Sequence, residues 1–594
     1  MKQFLKTTLA SMLGVIIALV IGWFAIAGIV GSLVTIGSQT TQIPTEGVLS
    51  IDMSNFVLAE QTREADYSMA LQGGEPLPVL GLWNAVQAIN KAAIDPSIKY
   101  ILLRPDAPST GLAQLEELRT ALENFRQSGK PVIAYTEMPG NGSYYLATVA
   151  DKIYMTEHKG GLITLNGLAT QLVFLKDALD KLGVNVQLIR HGKYKSAGEM
   201  YIKNKMSPEN REQNQEMLDA IWASWTEKIG QAREISADDF NGLINDLKLN
   251  SPEDFLEHGL VDELMSKDDL KNKLALLAGT ESFNNVNLID LNDYATAKVF
   301  PNYRAKNKIA IIYADGNIID GKGQDLVAGT RFADIIAKAR EDNSVKAIVF
   351  RINSPGGSVF ASEQIKSEID LAKEVKPVIA SYGNYAASGG YWISNNCDYI
   401  FSDASTLTGS IGVFSMIPDI SGTLKNVAHI NLETVSTNKH GDMYSLASPL
   451  STEEIAYLQR DVEAIYNKFT STVAEGRDMT VQAVDDIAQG RVWAGADAIK
   501  IGLVDEIGTL ENAINYAIMK TEGYSSDVND WQVVEYPKPL TLMEQLTDML
   551  NGVKREPKIF MGSPLETINA AYSDWNSRES GKAYAAMPYL YDIK

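Results

Sequence analysis

Cysteine occurs once in the 594 residues, at Cys397, which excludes an internal disulfide and a cysteine-based zinc site. Histidine is almost as scarce. The five histidines, His158, His191, His258, His429 and His440, sit in no hydrolase motif, and no Gly-x-Ser-x-Gly elbow occurs anywhere. Positive charge is also in short supply. With 53 Lys and Arg against 74 Asp and Glu the net charge is -21, the wrong sign for a nucleic-acid binder. No His/Asp/Glu cluster has convincing ligand spacing, so no metal and no other cofactor is expected.

Charge is missing altogether between Lys6 and Glu46. The stretch from Leu9 to Ile36 is apolar apart from a few Ser, Thr and Gly, long enough to cross a bilayer as a helix. Lys2 and Lys6 precede it and no Lys or Arg follows until Arg63, which predicts a cytoplasmic N-terminus at 1–8, an anchor at 9–36 and the remaining mass outside the cytoplasm. Ala25-Ile-Ala27 resembles a signal-peptide cleavage site. The apolar core is longer than the about 7–15 residues of a cleaved signal, so an uncleaved single-pass anchor is the expectation.

The apolar content of 45% is that of a globular chain, and the length calls for more than one core. A repeat supplies the division. The segment Asp95–Arg104 matches Asp342–Arg351, Lys130–Ala134 matches Lys376–Ala380, Asp151–Tyr154 matches Asp398–Phe401, and Gly259–Glu263 recurs as Gly502–Glu506. Constant order and near-constant separation mean a duplicated domain rather than a short-period solenoid. In each half buried-looking strands, such as Ile309 to Tyr313 and Ala347 to Arg351, alternate with helical patterns such as Ser362 to Glu374. That grammar predicts α/β units around largely parallel strands. Long amphipathic helices are expected from about Pro208 to Arg233 and about Glu453 to Arg477, started by Ser207-Pro208 and by a Ser451/Glu454 capping box.

The run from Pro377 to Ser394 reads as a strand passing into a helix start, with Ser388-Gly389-Gly390 at the junction. Backbone N–H groups there have no partner inside the helix and favour negative charge, so an oxyanion would be stabilised beside Ser388. In the first half Asn141-Gly142 stands opposite Ser388-Gly389, and Ser109-Thr110 opposite Gly356-Gly357. The candidate nucleophile and the paired glycines thus occur only in the second half. Gly-Gly after a buried strand lets backbone N–H groups approach a reacting carbonyl. A neutral hydroxyl needs a base. His429 and His440 follow the serine in its own half, and a lysine desolvated in a low-dielectric site is the other option.

Asn353–Ser358, Ala386–Ser394, Thr408–Val413, Gly490–Trp493 and Gly502–Asp505 together resemble the signal peptide peptidase A (protease IV) family. The anchor and tandem halves are similar to its long bacterial form, and the resemblance covers about residues 45 to 520. It implies two ClpP/crotonase-like α/β domains, at 45–300 and 301–525. The extension 526–594 lies outside the resemblance and is expected to pack on the second half or mediate assembly. The resemblance further implies a serine peptidase on the extracytoplasmic face of the bacterial inner membrane, degrading cleaved signal peptides as a tetramer. The family's nucleophile motif falls on Ser388 and its base motif on Tyr194-Lys195-Ser196-Ala197, making Lys195 the expected base. Ser196 is then a candidate for orienting it, and the N–H groups of Gly357 and Gly389 for the oxyanion hole. The second half has Gly441 near the position that matches Lys195, so one half keeps the serine and the other the lysine. A catalytically silent membrane scaffold and a Ser-His hydrolase contained in the second half are the competing readings. A crotonase-type acyl-CoA enzyme would find no CoA outside the cytoplasm.

Overall fold

The computed structural model describes residues 43–64, 77–324, 326–539 and 582–587, with isolated positions 14, 544 and 593. No helix among the described residues is long and apolar enough to cross a membrane, and the segment 9–36 lies outside them apart from Gly14.

Two largely parallel sheets that share a six-strand order carry the chain; the second also holds Leu407–Gly409 and Val492–Ala494, which pair antiparallel to each other. The first runs Glu263–Met265, Lys152–Thr156, Val132–Thr136, Ile98–Arg104, Gly47–Asp52, Leu288–Asp290. The second repeats it as Glu506–Ile507, Tyr399–Ser402, Val378–Ala387, Val345–Ser354, Lys308–Asp315, Gln532–Tyr536. Its edge strand Gln532–Tyr536 belongs to the segment set apart from the sequence as 526–594, so that segment supplies part of the second sheet. The strands are apolar runs buried on both faces, as a parallel sheet covered on both sides requires; Ile309, Ile311, Ile348 and Val349 are all fully buried.

The duplication extends to individual hydrogen bonds. Asp151 Oδ2 accepts from Val132 N at 2.8 Å, and Asp398 Oδ2 from Val378 N at 2.8 Å. Tyr144 OH donates to Leu260 O at 2.8 Å, and Tyr391 OH to Leu503 O at 2.8 Å. Asp262 and Asp505 each accept from the second residue of a strand, Ile153 and Ile400, and each pair with an arginine, Arg233 and Arg477. The four aspartates lie in the segments that made the repeat visible in the sequence: a carboxylate that satisfies a buried backbone N–H cannot be replaced by an apolar side chain without orphaning that donor.

The two long helices are Pro208–Arg233 and Thr452–Gly476. Ser207 Oγ accepts from Asn210 N with Pro208 at the first helical position, and Ser451 forms the capping box with Glu454. The first of them crosses to the second half, where Gln213 Oε1 accepts from Val492 N at 3.2 Å.

A third sheet joins the halves. Its order is Val327–Ala328, Ile318–Ile319, Gly356–Ser358, Ala583–Ala586, Val413–Asp419, Asn185–His191. The last strand comes from the first half and lies antiparallel to Val413–Asp419.

An ion cluster also spans them. Fully buried Arg351 lies 2.6 Å from Glu60 and 2.7 Å from Glu117. Burial and the neighbouring Glu117 and Glu116 carboxylates push the nearby Asp403 well above the usual carboxylate range. Replacing the guanidinium alone leaves buried carboxylates without a counter-charge, so Arg351→Met should cost about 3–5 kcal/mol near neutral pH. The loss should shrink as pH falls, because carboxyls whose pKa rises on losing the cation then take up protons and shed their charge. Denaturant unfolding at pH 5 and pH 8 checks this; an equal loss at both would mean that the cluster is not held by charge.

Candidate active site

Strand Val378–Ala387 ends at Ser388, whose backbone is left-handed (φ 56°), and a short helix Gly389–Trp392 follows. A positive φ at a non-glycine residue is strained and survives only where the surroundings hold it. Here Ser388 N donates to Gly409 O at 2.8 Å, and the serine side chain makes no cap bond to its own helix. The hydroxyl is therefore not committed to capping.

Lysine reaches it from the other half. The strand Asn185–His191 leads into a loop whose Tyr194 N donates to Gln489 O at 2.9 Å, threading residues 192–198 into the second half. Lys195 Nζ lies 2.8 Å from Ser388 Oγ, and both residues are fully buried. The same Nζ donates to Ser410 O at 3.0 Å and lies 3.0 Å from Ser410 Oγ.

Glycines open the space. Gly490 is left-handed (φ 80°), and a Cβ there would lie 2.5 Å from Lys195 Cβ; one at Gly412 would lie 3.1 Å from Lys195 Cδ. Gly356, Gly357 and Gly389 converge on the other side of the serine. A Cβ on Gly356 would lie 2.5 Å from Gly389 N, and one on Gly389 would lie 3.0 Å from Gly357 N. The two backbone N–H groups expected for an oxyanion hole are thus neighbours beside the hydroxyl.

Of the expected site residues, Ser388, Lys195, Gly357 and Gly389 come together. Ser196 Oγ instead accepts from Gln213 Nε2 at 2.9 Å, where it fixes the loop to the long helix. The hydroxyl at the lysine amine that the sequence reading passed over is Ser410. It lies in the Thr408–Val413 motif, but only the threading of the lysine loop reveals its place. His429 is exposed, and His440 is exposed with Nδ1 2.8 Å from Glu454 Oε1. The position that matches Ser388 in the first half is spent on structure: Asn141 donates to Gly167 O at 2.9 Å and accepts from Asn166 N and Gly167 N at 3.1 Å each.

The profile of peptidase family S49 matches residues 124–281 and 370–522, most of both halves. The chain belongs to that family. It is a serine peptidase, and three curated relatives match over most of its length. Protease 4 of Haemophilus influenzae is 37% identical over 496 residues, 81% of this chain and 80% of that protein. Protease 4 of Salmonella typhi is 35% identical over 540 residues, 87% of this chain and 84% of that protein. The chloroplastic serine protease SPPA of Arabidopsis thaliana is 32% identical over 471 residues, 78% of this chain and 68% of that protein. The peptidase's matched segments include Lys195 and Ser388 but stop short of the strand Ala583–Ala586.

Proposed function

We propose that this peptidase hydrolyses peptide bonds with a Ser388/Lys195 dyad shared between its halves, and that its substrates are cleaved signal peptides. The observation that carries the reading is the 2.8 Å separation of Lys195 Nζ from Ser388 Oγ in a fully buried setting. Burial disfavours the ammonium form, so the amine is available as a base. Lys195 takes the Ser388 proton as Oγ attacks the carbonyl, and the N–H groups of Gly357 and Gly389 receive the oxyanion. The lysine then donates to the leaving amine, and water hydrolyses the acyl-enzyme with the lysine again as base. Ser410 positions Nζ for both transfers.

A relative from Enterococcus faecium, 34% identical over 246 residues, is named a putative signal peptide peptidase SppA, which supports the substrate class. The rest of the reading stands on the sequence. It comprises an anchor at 9–36 with residues 1–8 in the cytoplasm, ClpP/crotonase-like domains beginning at 45 and 301 outside it, and a homotetramer on the inner membrane.

The test is the pH dependence of kcat/KM for a fluorogenic peptide. A lysine base gives a rate that climbs above neutrality as the amine loses its proton, whereas a histidine base gives a rise near pH 6.5. Lys195→Arg should be inactive although its charge is kept, because guanidinium does not give up its proton in this range. His429→Ala and His440→Ala should remain active. An active Lys195→Arg enzyme would sink the dyad.

A further inference from the structure

Three residues other than glycine hold a left-handed backbone around the dyad: Ser388 (φ 56°), Ser410 (φ 48°) and Gln489 (φ 53°). The first two carry the hydroxyls at the lysine amine. Gln489 carries none, yet its strained conformation must also be held by its surroundings. Its backbone shows what the strain serves. Gln489 O accepts from Tyr194 N at 2.9 Å, the next residue Gly490 packs against the Lys195 backbone, and Arg491 O accepts from Ser410 N at 2.7 Å. Residues 489–491 are thus a splint between the lysine loop and the Ser410 turn. The fit is close, since a Cβ on Gly192 would lie 2.4 Å from Gln489 O.

Two helices behind the splint hold it. Tyr466, buried on the helix Thr452–Gly476, donates its hydroxyl at 2.5 Å to Oδ1 of Asp485, on the helix Val481–Ile487. The same hydroxyl oxygen accepts from Gln489 N at 3.3 Å and from Gln489 Nε2 at 3.4 Å, and Nε2 also donates to Asp485 Oδ1 at 2.6 Å. Burial, and then the Asp485 carboxylate, push the phenol above its ordinary range, so it remains a donor at alkaline pH. The Tyr466 ring stacks on His191, with 3.9 Å between centroids, where the strand Asn185–His191 enters the lysine loop. One side chain therefore grips both partners, the loop by its ring and the splint by its hydroxyl.

The first half supplies a comparison. Trp222 and Asn241 stand at the same spacing from Ser207 and Arg233 as Tyr466 and Asp485 do from Ser451 and Arg477. Trp222 Nε1 donates to Asn241 Oδ1 at 2.7 Å and ties together the matching helices, Pro208–Arg233 and Ala237–Asn245. Among the described residues no further side-chain hydrogen bond extends that tie to a turn. In the second half the tie has been carried on to Gln489.

We propose that Tyr466 is a positioning residue for peptide hydrolysis, locking the left-handed turn at Gln489 against the lysine loop and so setting the reach of Lys195 Nζ to Ser388 Oγ. The proposal rests on the dyad described above. Without the hydroxyl, Gln489 N loses its acceptor and the turn relaxes. The loop that leans on Gln489 O and Gly490 then carries the amine away from the serine. An amine that leaves a buried seat regains solvation and holds its proton more tightly.

The test is kcat, KM and the pH profile of kcat/KM for Tyr466→Phe, Asp485→Asn, Asp485→Leu and Trp222→Phe, with the urea midpoint of each. Tyr466→Phe should lose about 10- to 10²-fold in kcat with KM little changed, as for a shift of up to about 1 Å at a catalytic group. Its rise in kcat/KM should also move to higher pH. The conservative Asp485→Asn keeps an oxygen that accepts from both Tyr466 and Gln489 and should restore nearly the wild-type rate, whereas Asp485→Leu should follow Tyr466→Phe. Trp222→Phe should lower the urea midpoint and leave kcat and the pH profile as they are. Tyr466→Phe with the wild-type kcat and pH profile would overturn the proposal and leave the dyad standing. An equal rate loss in Trp222→Phe would overturn it too, because the loss would then come from general loosening of the helices. Lys195→Arg, run alongside, separates the two readings: if it is active, the dyad falls and this proposal with it.

Discussion

Ser388→Ala should lower peptide turnover by at least about 10⁴-fold, Lys195→Met by a similar factor, and the double variant no further than either alone. Groups that act as one unit fail together, because an alkoxide that cannot form gains nothing from a base, and a base with no hydroxyl to activate does nothing. The residual rate should come from the oxyanion N–H groups and from binding, which need neither side chain. Asn141→Ala, at the matching position of the first half, is the contrasting case. It removes three hydrogen bonds that hold residues 166–167 and so should cost about 1–3 kcal/mol of stability while leaving the rate per folded molecule near wild type. Steady-state kinetics on the four variants, with folded fraction measured by near-UV circular dichroism, would decide the matter. Comparable rate losses at Ser388 and Asn141 would mean that the halves have been aligned wrongly.

The fold was legible where a residue does a local job. Asp151 and Asp398 satisfy the start of a neighbouring strand, Ser207 and Ser451 cap helices, and each leaves a short pattern that recurs at repeat spacing. Ser388 was legible for the same reason, since a strand, a small-residue turn and a helix start are neighbours in sequence. Lys195 was not. It meets Ser388 from 193 positions away, and no residue beside it announces that its loop is inserted into another domain; the family resemblance supplied it. Ser410 escaped because its role depends on that insertion. A still longer separation hid the Arg351–Glu60 pair, 291 positions apart, because neither charge names its partner. The strand Ala583–Ala586 is four residues long, too short to show an alternation, and its partners lie far upstream.

The seat of the lysine gives a prediction that separates placement from backbone strain. Gly490 is left-handed, and its N donates to Ile411 O at 2.8 Å, so its position is fixed. A Cβ there would meet Lys195 Cβ at 2.5 Å and Lys195 Cα and N at 2.7 Å, all parts of the chain that cannot swing aside. Gly490→Ala must therefore push the Lys195 backbone away, and a shift of about 1 Å at a catalytic group costs about 10²-fold in rate. The loss should fall on kcat with KM little changed, because Gly490 acts on the base. Strain alone would also destabilise the variant, by about 1–2 kcal/mol for a left-handed alanine. Gly502 isolates that part: its φ of 79° is nearly the same, but a Cβ there would meet nothing within 4 Å. Gly502→Ala should thus lose similar stability and keep its turnover. If Gly490→Ala hydrolyses peptides as fast as Gly502→Ala, the lysine does not depend on this contact for its position, and the close packing of the two backbones serves folding alone.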